Sequence, residues 1–111
     1  MTDLRLYLDD LRPTPTVPDG QEAWTRAYTA PEAIVLLETG TVTEVSLDHD
    51  LGDTANDPLI GTGYDVALWI EEHAFDGTCP KLAWRIHSAN PVGISKMTAA
   101  LKNADRFWNN R

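Results

Sequence analysis

The 111-residue sequence predicts an α/β fold, a mainly parallel sheet of four strands with three helices, and three observations carry that prediction. Short segments of period-two alternation take turns with segments of helical apolar spacing, the order that lays strands side by side in one direction. Pro, Gly, Asn and Asp cluster between them, where connections belong. Three of the strands run directly into polar residues, Asp9-Asp10, Asp48-His49-Asp50 and His87-Ser88-Ala89-Asn90, and open parallel sheets bind ligands outside the carboxyl ends of their strands.

Leu4 to Leu8 alternates apolar and polar as a half-buried strand does, and it stops at Asp9-Asp10. Leu11 to Gln21 holds Pro13, Pro15, Pro18 and Asp19-Gly20, breakers at a density no helix interior accepts, so it reads as an irregular loop. Glu22 to Tyr28 is a weaker strand. Thr29 can cap a helix whose early Pro31 and first-turn Glu32 suit an N-terminus, and this helix runs to Glu38 with Gly40 ending it. Thr41 to Leu47 alternates again, with Val45 and Leu47 on one side and Glu44 and Ser46 on the other.

Gly52 to Gly61 reads as a loop, after which Thr62 or Gly63 opens a helix through about Ala74. Val66, Leu68, Trp69 and Ile70 supply its inner face and Asp76-Gly77 closes it; His73, beside Glu71 and Glu72, reads as a solvated residue. Lys81 to Ile86 is the last strand. The final helix begins near Pro91 and carries Ile94, Met97, Leu101, Phe107 and Trp108. Strands covered on both faces read as continuous apolar runs, whereas these alternate. The expectation is therefore helices on one face and, on the other, a wetter surface open to a partner such as a second copy.

With 42% apolar residues and four Trp, the chain has enough apolar material for one domain with a single core. Cys79 is the lone cysteine and cannot form an internal bridge, and no apolar run approaches membrane length, so a soluble, cytoplasmic protein is expected. The net charge of -8 argues against a broad grip on duplex DNA, though not against a short nucleic-acid end.

Asp9, Asp10 and Asp48, with Asp50 close by, make an oxygen-rich set of the kind a hard cation uses, and magnesium fits it better than zinc because no thiolate and few imidazoles accompany it. His49 and His87 form a candidate acid-base pair, one activating water and the other protonating a leaving oxygen. Arg12 offers a bidentate grip on phosphate, while Ser88 and Asn90 at the start of the last helix can hold phosphate oxygens.

Leu8-Asp9-Asp10, Leu47-Asp48 and Ser88-Ala89 resemble the strand-end motifs of the response-regulator receiver, a flavodoxin-like fold. That resemblance implies Asp9 and Asp10 as metal ligands, Asp48 as the phosphoacceptor equivalent and Ser88 as a phosphate contact. Against it, the Pro-rich loop stands where receivers have their first helix, and no fifth strand, fifth helix or phosphate-binding Lys follows. The fuller pattern resembles the cyclic-phosphate processing receiver-like domains of bacteria and phages: Asp9-Asp10-Leu11-Arg12-Pro13, Ser46 to Gly52, Gly61-Thr62-Gly63-Tyr64-Asp65 and His87-Ser88-Ala89-Asn90-Pro91. The family implies a shortened receiver-like fold and a phosphoesterase acting on cyclic phosphates, in nucleotides or at RNA ends. Magnesium, or alternatively manganese, would be held by Asp9, Asp10 and Asp48, with Asp50 supporting it or orienting His49, and Asp48 is open to a second reading as a nucleophile. The rival expectation is a non-catalytic signalling or phosphate-binding module.

Overall fold

The computed structural model describes residues 3–17, 23–52, 57 and 59–110. Its elements follow the order strand Leu4–Leu8 (β1), strand Trp24–Ala27 (β2), helix Ala30–Glu38 (α1), strand Val42–Leu47 (β3), helix Gly63–Asp76 (α2), strand Ala83–Ile86 (β4) and helix Pro91–Asn109 (α3). The four strands form one parallel sheet in the order β2-β1-β3-β4. This is the shortened α/β receiver-like fold that the sequence implies. Parts of both expected loops, 18–21 and 53–56 with 58, and Glu22 at the expected start of the second strand lie outside the described residues.

The helices begin where side chains can satisfy their first amides. Thr29 accepts from the Glu32 N–H at the start of α1, Thr62 and Asp65 form a reciprocal capping box on α2, and Asn90 accepts from the Gly93 N–H on α3. At the far end of α2, Gly77 takes the left-handed conformation (φ 85°) that lets the chain turn away. Leu6, Leu8, Val45 and Leu47 meet Ala33 and Leu37 of α1, Val66 and Ile70 of α2, and Met97 and Leu101 of α3 in one apolar core. Each of these residues is almost wholly removed from water.

Three details depart from the sequence expectation. Val42 and Val45 both join the core although they are three residues apart, because the pairing shifts at Leu4/Arg5 and skips Thr43. Leu68 is partly exposed on the outside of α2, while His73 is half-buried and stacked on Trp69 at 3.9 Å, its Nδ1 2.8 Å from the Trp69 carbonyl. The polar sheet face is covered by its own long side chains. Arg5 lies 4.1 Å and Arg85 5.9 Å from the Trp24 ring, both bond Glu44, and Arg26 lies over Tyr7. Arginine stems can cover apolar surface while their heads reach water, so Tyr7, Trp24 and Ser46 are buried on this face with no helix over them while the Arg85 side chain stays 63% exposed. No described helix is long and apolar enough to cross a membrane.

Candidate functional site

The site lies just past the carboxyl ends of the three adjacent strands β1, β3 and β4, and sheet hydrogen bonding extends into it. The Asp9 N–H donates to the Ala27 carbonyl (3.1 Å), the Asp48 N–H to Leu8 (3.0 Å) and the His87 N–H to Leu47 (3.0 Å). Each residue is thus held by backbone one step beyond its strand. With neighbouring strands about 4.8 Å apart, side chains on such ends converge. One carboxylate oxygen from each of Asp9, Asp10 and Asp48 lies within 4.8 Å of the others.

Asp9, Asp10, Asp48 and Asp50 line an open cavity of about 350 Å³ together with Arg12 and Ala89. Asp9 is 1% exposed and its carboxylate is anchored on both oxygens. Oδ1 accepts the N–H groups of Leu11 (2.8 Å) and Arg12 (2.9 Å), which folds the start of the Pro-rich loop around it, and Oδ2 meets His87 Nε2 at 3.0 Å. Burial by itself pushes the Asp9 carboxyl up, but these hydrogen bonds outweigh it and hold the group below the ordinary carboxylate range. Asp48 goes the other way: burial and the nearby Asp9 charge raise it, and the N–H of His49 (2.8 Å) offsets only part of that. The two buried carboxylates thus shift in opposite directions, Asp9 down through its hydrogen bonds and Asp48 up through burial, and with Asp10 they form a cluster that could hold a metal ion.

Close backbone packing builds this corner. A Cβ on Gly63 would fall inside the Asp48 carbonyl, and the Gly63 N–H bonds the His49 carbonyl at 3.0 Å, so α2 starts directly against the end of β3. Arg12 donates through Nη1 to the His87 carbonyl, and Nη1 is 4.0 Å from Asp9 Oδ2. Arg26 in turn bonds the carbonyls of Asp9 (2.8 Å) and Arg12.

The remaining expected residues take separate places. Asp50 lines the cavity at its rim with a 69% exposed side chain, and it lies outside the three-carboxylate cluster. Its Oδ1 accepts from His49 Nδ1 at 2.8 Å, the leading cause of a lowered Asp50 carboxyl. Neither imidazole is among the described residues that line the cavity. His49 packs on α3, where a Cβ on Gly93 would come within 2.5 Å of its ring. His87 lies on the polar sheet face, stacked on Tyr7 at 4.4 Å with the planes 2° apart. Burial lowers the His87 imidazole even though Asp9 pulls it up. The two histidines expected to work as a pair therefore bond different partners. Ser88 Oγ accepts the Asn90 N–H at 3.1 Å and Asn90 Oδ1 caps α3, so both serve the helix N-terminus beside the cavity.

Two residues at the site are in none of the candidate sets drawn from the sequence, Ser46 and Tyr7. Ser46 Oγ sits 2.7 Å from His87 Nδ1. In the sequence Ser46 opens the Ser46 to Gly52 stretch, and both residues take the polar side of an alternating strand.

A family described as the cyclic-phosphate processing receiver domain matches residues 4–103 of the chain. No curated protein and no solved structure matches it.

Proposed function

The chain belongs to the cyclic-phosphate processing receiver domain family, and on that premise we propose that it is a metal-dependent phosphoesterase that opens cyclic phosphates, in nucleotides or at RNA 2′,3′-cyclic ends. The observation that carries this reading is the Asp9-Asp10-Asp48 cluster sharing one cavity with Arg12. Three carboxylates and no sulfur suit magnesium, with manganese next, better than zinc. The raised carboxyl of Asp48 fits as well, because a buried anion beside another anion is relieved by a cation. When bound, such a cation supplies charge stabilisation at a phosphoryl oxygen and a more acidic water.

Ring opening adds a water oxygen to phosphorus and breaks one ring P–O bond. The water loses a proton and the departing sugar oxygen gains one, leaving a phosphomonoester. In this reading Asp9, fixed by three donors, and Asp10 and Asp48 hold the cation, while Arg12 grips a non-bridging oxygen from the cavity wall. Ser88 and the α3 N-terminus supply further phosphate contacts beside Ala89. Asp50 faces the cavity with His49 bonded behind it, and this pair carries the proton traffic. A second course makes Asp48 the nucleophile, through an aspartyl phosphate that water then hydrolyses; trapping labelled phosphate on the protein distinguishes the two.

One observation favours a binding module instead: neither imidazole is among the described residues that line the cavity. Incubation with Mg²⁺ and a panel of 2′,3′-cyclic phosphate oligonucleotides and cyclic nucleotides separates the readings. Turnover that is lost in Asp48→Asn and falls about 100-fold in Arg12→Ala supports the hydrolase. Tight binding without product supports the module, and neither binding nor turnover overturns both.

A further inference from the structure

Ser46, His87 and Asp9 form a hydrogen-bonded line from the polar sheet face into the carboxylate cluster: Ser46 Oγ to His87 Nδ1 at 2.7 Å, and His87 Nε2 to Asp9 Oδ2 at 3.0 Å. The residue types are those of a nucleophile, base and acid, but the placement rules out that use. Ser46 is 2% exposed, and it sits at the end of the line away from the cavity. The line therefore works toward Asp9.

The direction of its protons follows from chemistry. An ionised carboxylate only accepts hydrogen bonds, so Nε2 must carry a hydrogen toward Asp9. In a neutral ring Nδ1 is then a lone pair that needs a donor, and a hydroxyl beside it can supply one. Tyr7, stacked parallel to the ring, keeps the imidazole in the plane where both bonds are made. The His87 backbone carbonyl accepts separately from Arg12, so His87 meets Asp9 through its ring and Arg12 through its main chain.

We propose that Ser46 is a positioning residue for the Asp9 carboxylate, acting through His87 by donating to Nδ1 and so presenting Nε2–H to Asp9. The consequence for cation affinity rests on the metal-site reading above; the assignment of the hydrogen bonds does not. Groups behind a ligand commonly change metal affinity ten- to a hundredfold when lost.

The test has two readouts on the full chain. Nitrogen-15 NMR of the histidine rings in metal-free protein should show His87 protonated at Nε2, with Nδ1 shifted as an acceptor. Ser46→Ala should erase the Nδ1 signature and Ser46→Thr, which keeps the hydroxyl, should restore it. Titration with Mg²⁺ should give about a tenfold weaker affinity for Ser46→Ala. In a His87→Phe background, which keeps a ring against Tyr7, the serine change should then cost nothing further. A wild-type His87 protonated at Nδ1 overturns the proposal without any variant. So does a Ser46→Ala protein with unchanged ring signals, or an equal loss of affinity with and without His87. If the wild type shows the expected ring signals but binds no Mg²⁺, the metal reading fails and the Ser46 assignment stands.

Discussion

Replacing Asp48 by Asn should make the metal-free protein more stable while removing its response to magnesium. The carboxylate oxygens of Asp9, Asp10 and Asp48 come within 4.8 Å of one another. Two like charges at that distance repel by about 3.5 kcal/mol at an effective dielectric of 20 and by about 0.9 kcal/mol in water. Asn keeps an oxygen for the His49 N–H, so relief of a buried charge dominates, through burial first and repulsion by Asp9 second, at about 1–3 kcal/mol. For a domain of this size each kcal/mol moves the melting temperature by about 4 °C, so the variant should melt about 4–12 °C higher in EDTA. Mg²⁺ at a hundredfold excess over its Kd adds about 2.7 kcal/mol to the wild type alone. The sign with pH follows from the raised Asp48 carboxyl. Its ionised form destabilises the fold, so the wild type loses stability as pH rises from below the unfolded carboxylate value, about 3.9, through the higher folded one, and the advantage of Asn disappears in acid. Thermal melts of both proteins across pH, with and without Mg²⁺, measure all of this. A variant that melts lower than wild type in EDTA, or that gains as much from Mg²⁺, refutes the reasoning.

Other outcomes follow from close contacts and burial. Gly63→Ala puts a Cβ inside the Asp48 carbonyl, so urea unfolding should show a loss of about 3 kcal/mol, together with weaker Mg²⁺ binding because α2 must back away from β3. Gly93→Ala drives a methyl to 2.5 Å from the His49 ring and should cost about 1–3 kcal/mol. Adding His49→Ala to that chain should recover most of the loss, and additive losses would show that the ring is not the obstacle. Burial pushes the Cys79 thiol up to about 11 and leaves it 3% exposed, so native protein at pH 8 should resist alkylation at a rate set by unfolding. Because its folded value lies above the unfolded one, Cys79 should also withdraw stability as pH rises above about 9, and a Cys79→Ala comparison isolates that slope.

The elements were legible because each is specified locally. Alternation marks β1 and β3, Thr29 with Pro31 announces α1, Thr62 or Gly63 opens α2 and Gly77 ends it, and Pro91 marks the start of α3. The site was legible as a set of strand ends, since Asp9, Asp48 and His87 had little reason to follow apolar strands unless they met. What each group does there was not. His87 looked like a free acid or base, but its alternation parity with Arg85 puts it on the polar sheet face, where Ser46, Tyr7 and Asp9 take up its ring. His49 was expected as half of an acid-base pair and Asp50 beside the metal set, yet His49 packs on α3 at Gly93 and Asp50 stands at the rim, bonded to the His49 ring.

By itself, then, the sequence determined the strands, the helices and the residues waiting at the sheet's carboxyl edge, because periodicity, caps and breakers act over a few residues. Only the tertiary structure decided which of those residues face one another. The order β2-β1-β3-β4 brings Asp9 beside Asp48 and lets His87 reach across β3 to Asp9, and it joins residues about 40 and 80 positions apart in the chain. Local propensity does not encode such a pairing; it comes from the core that seats the three helices on one face of the sheet and leaves the other to arginines and a buried serine.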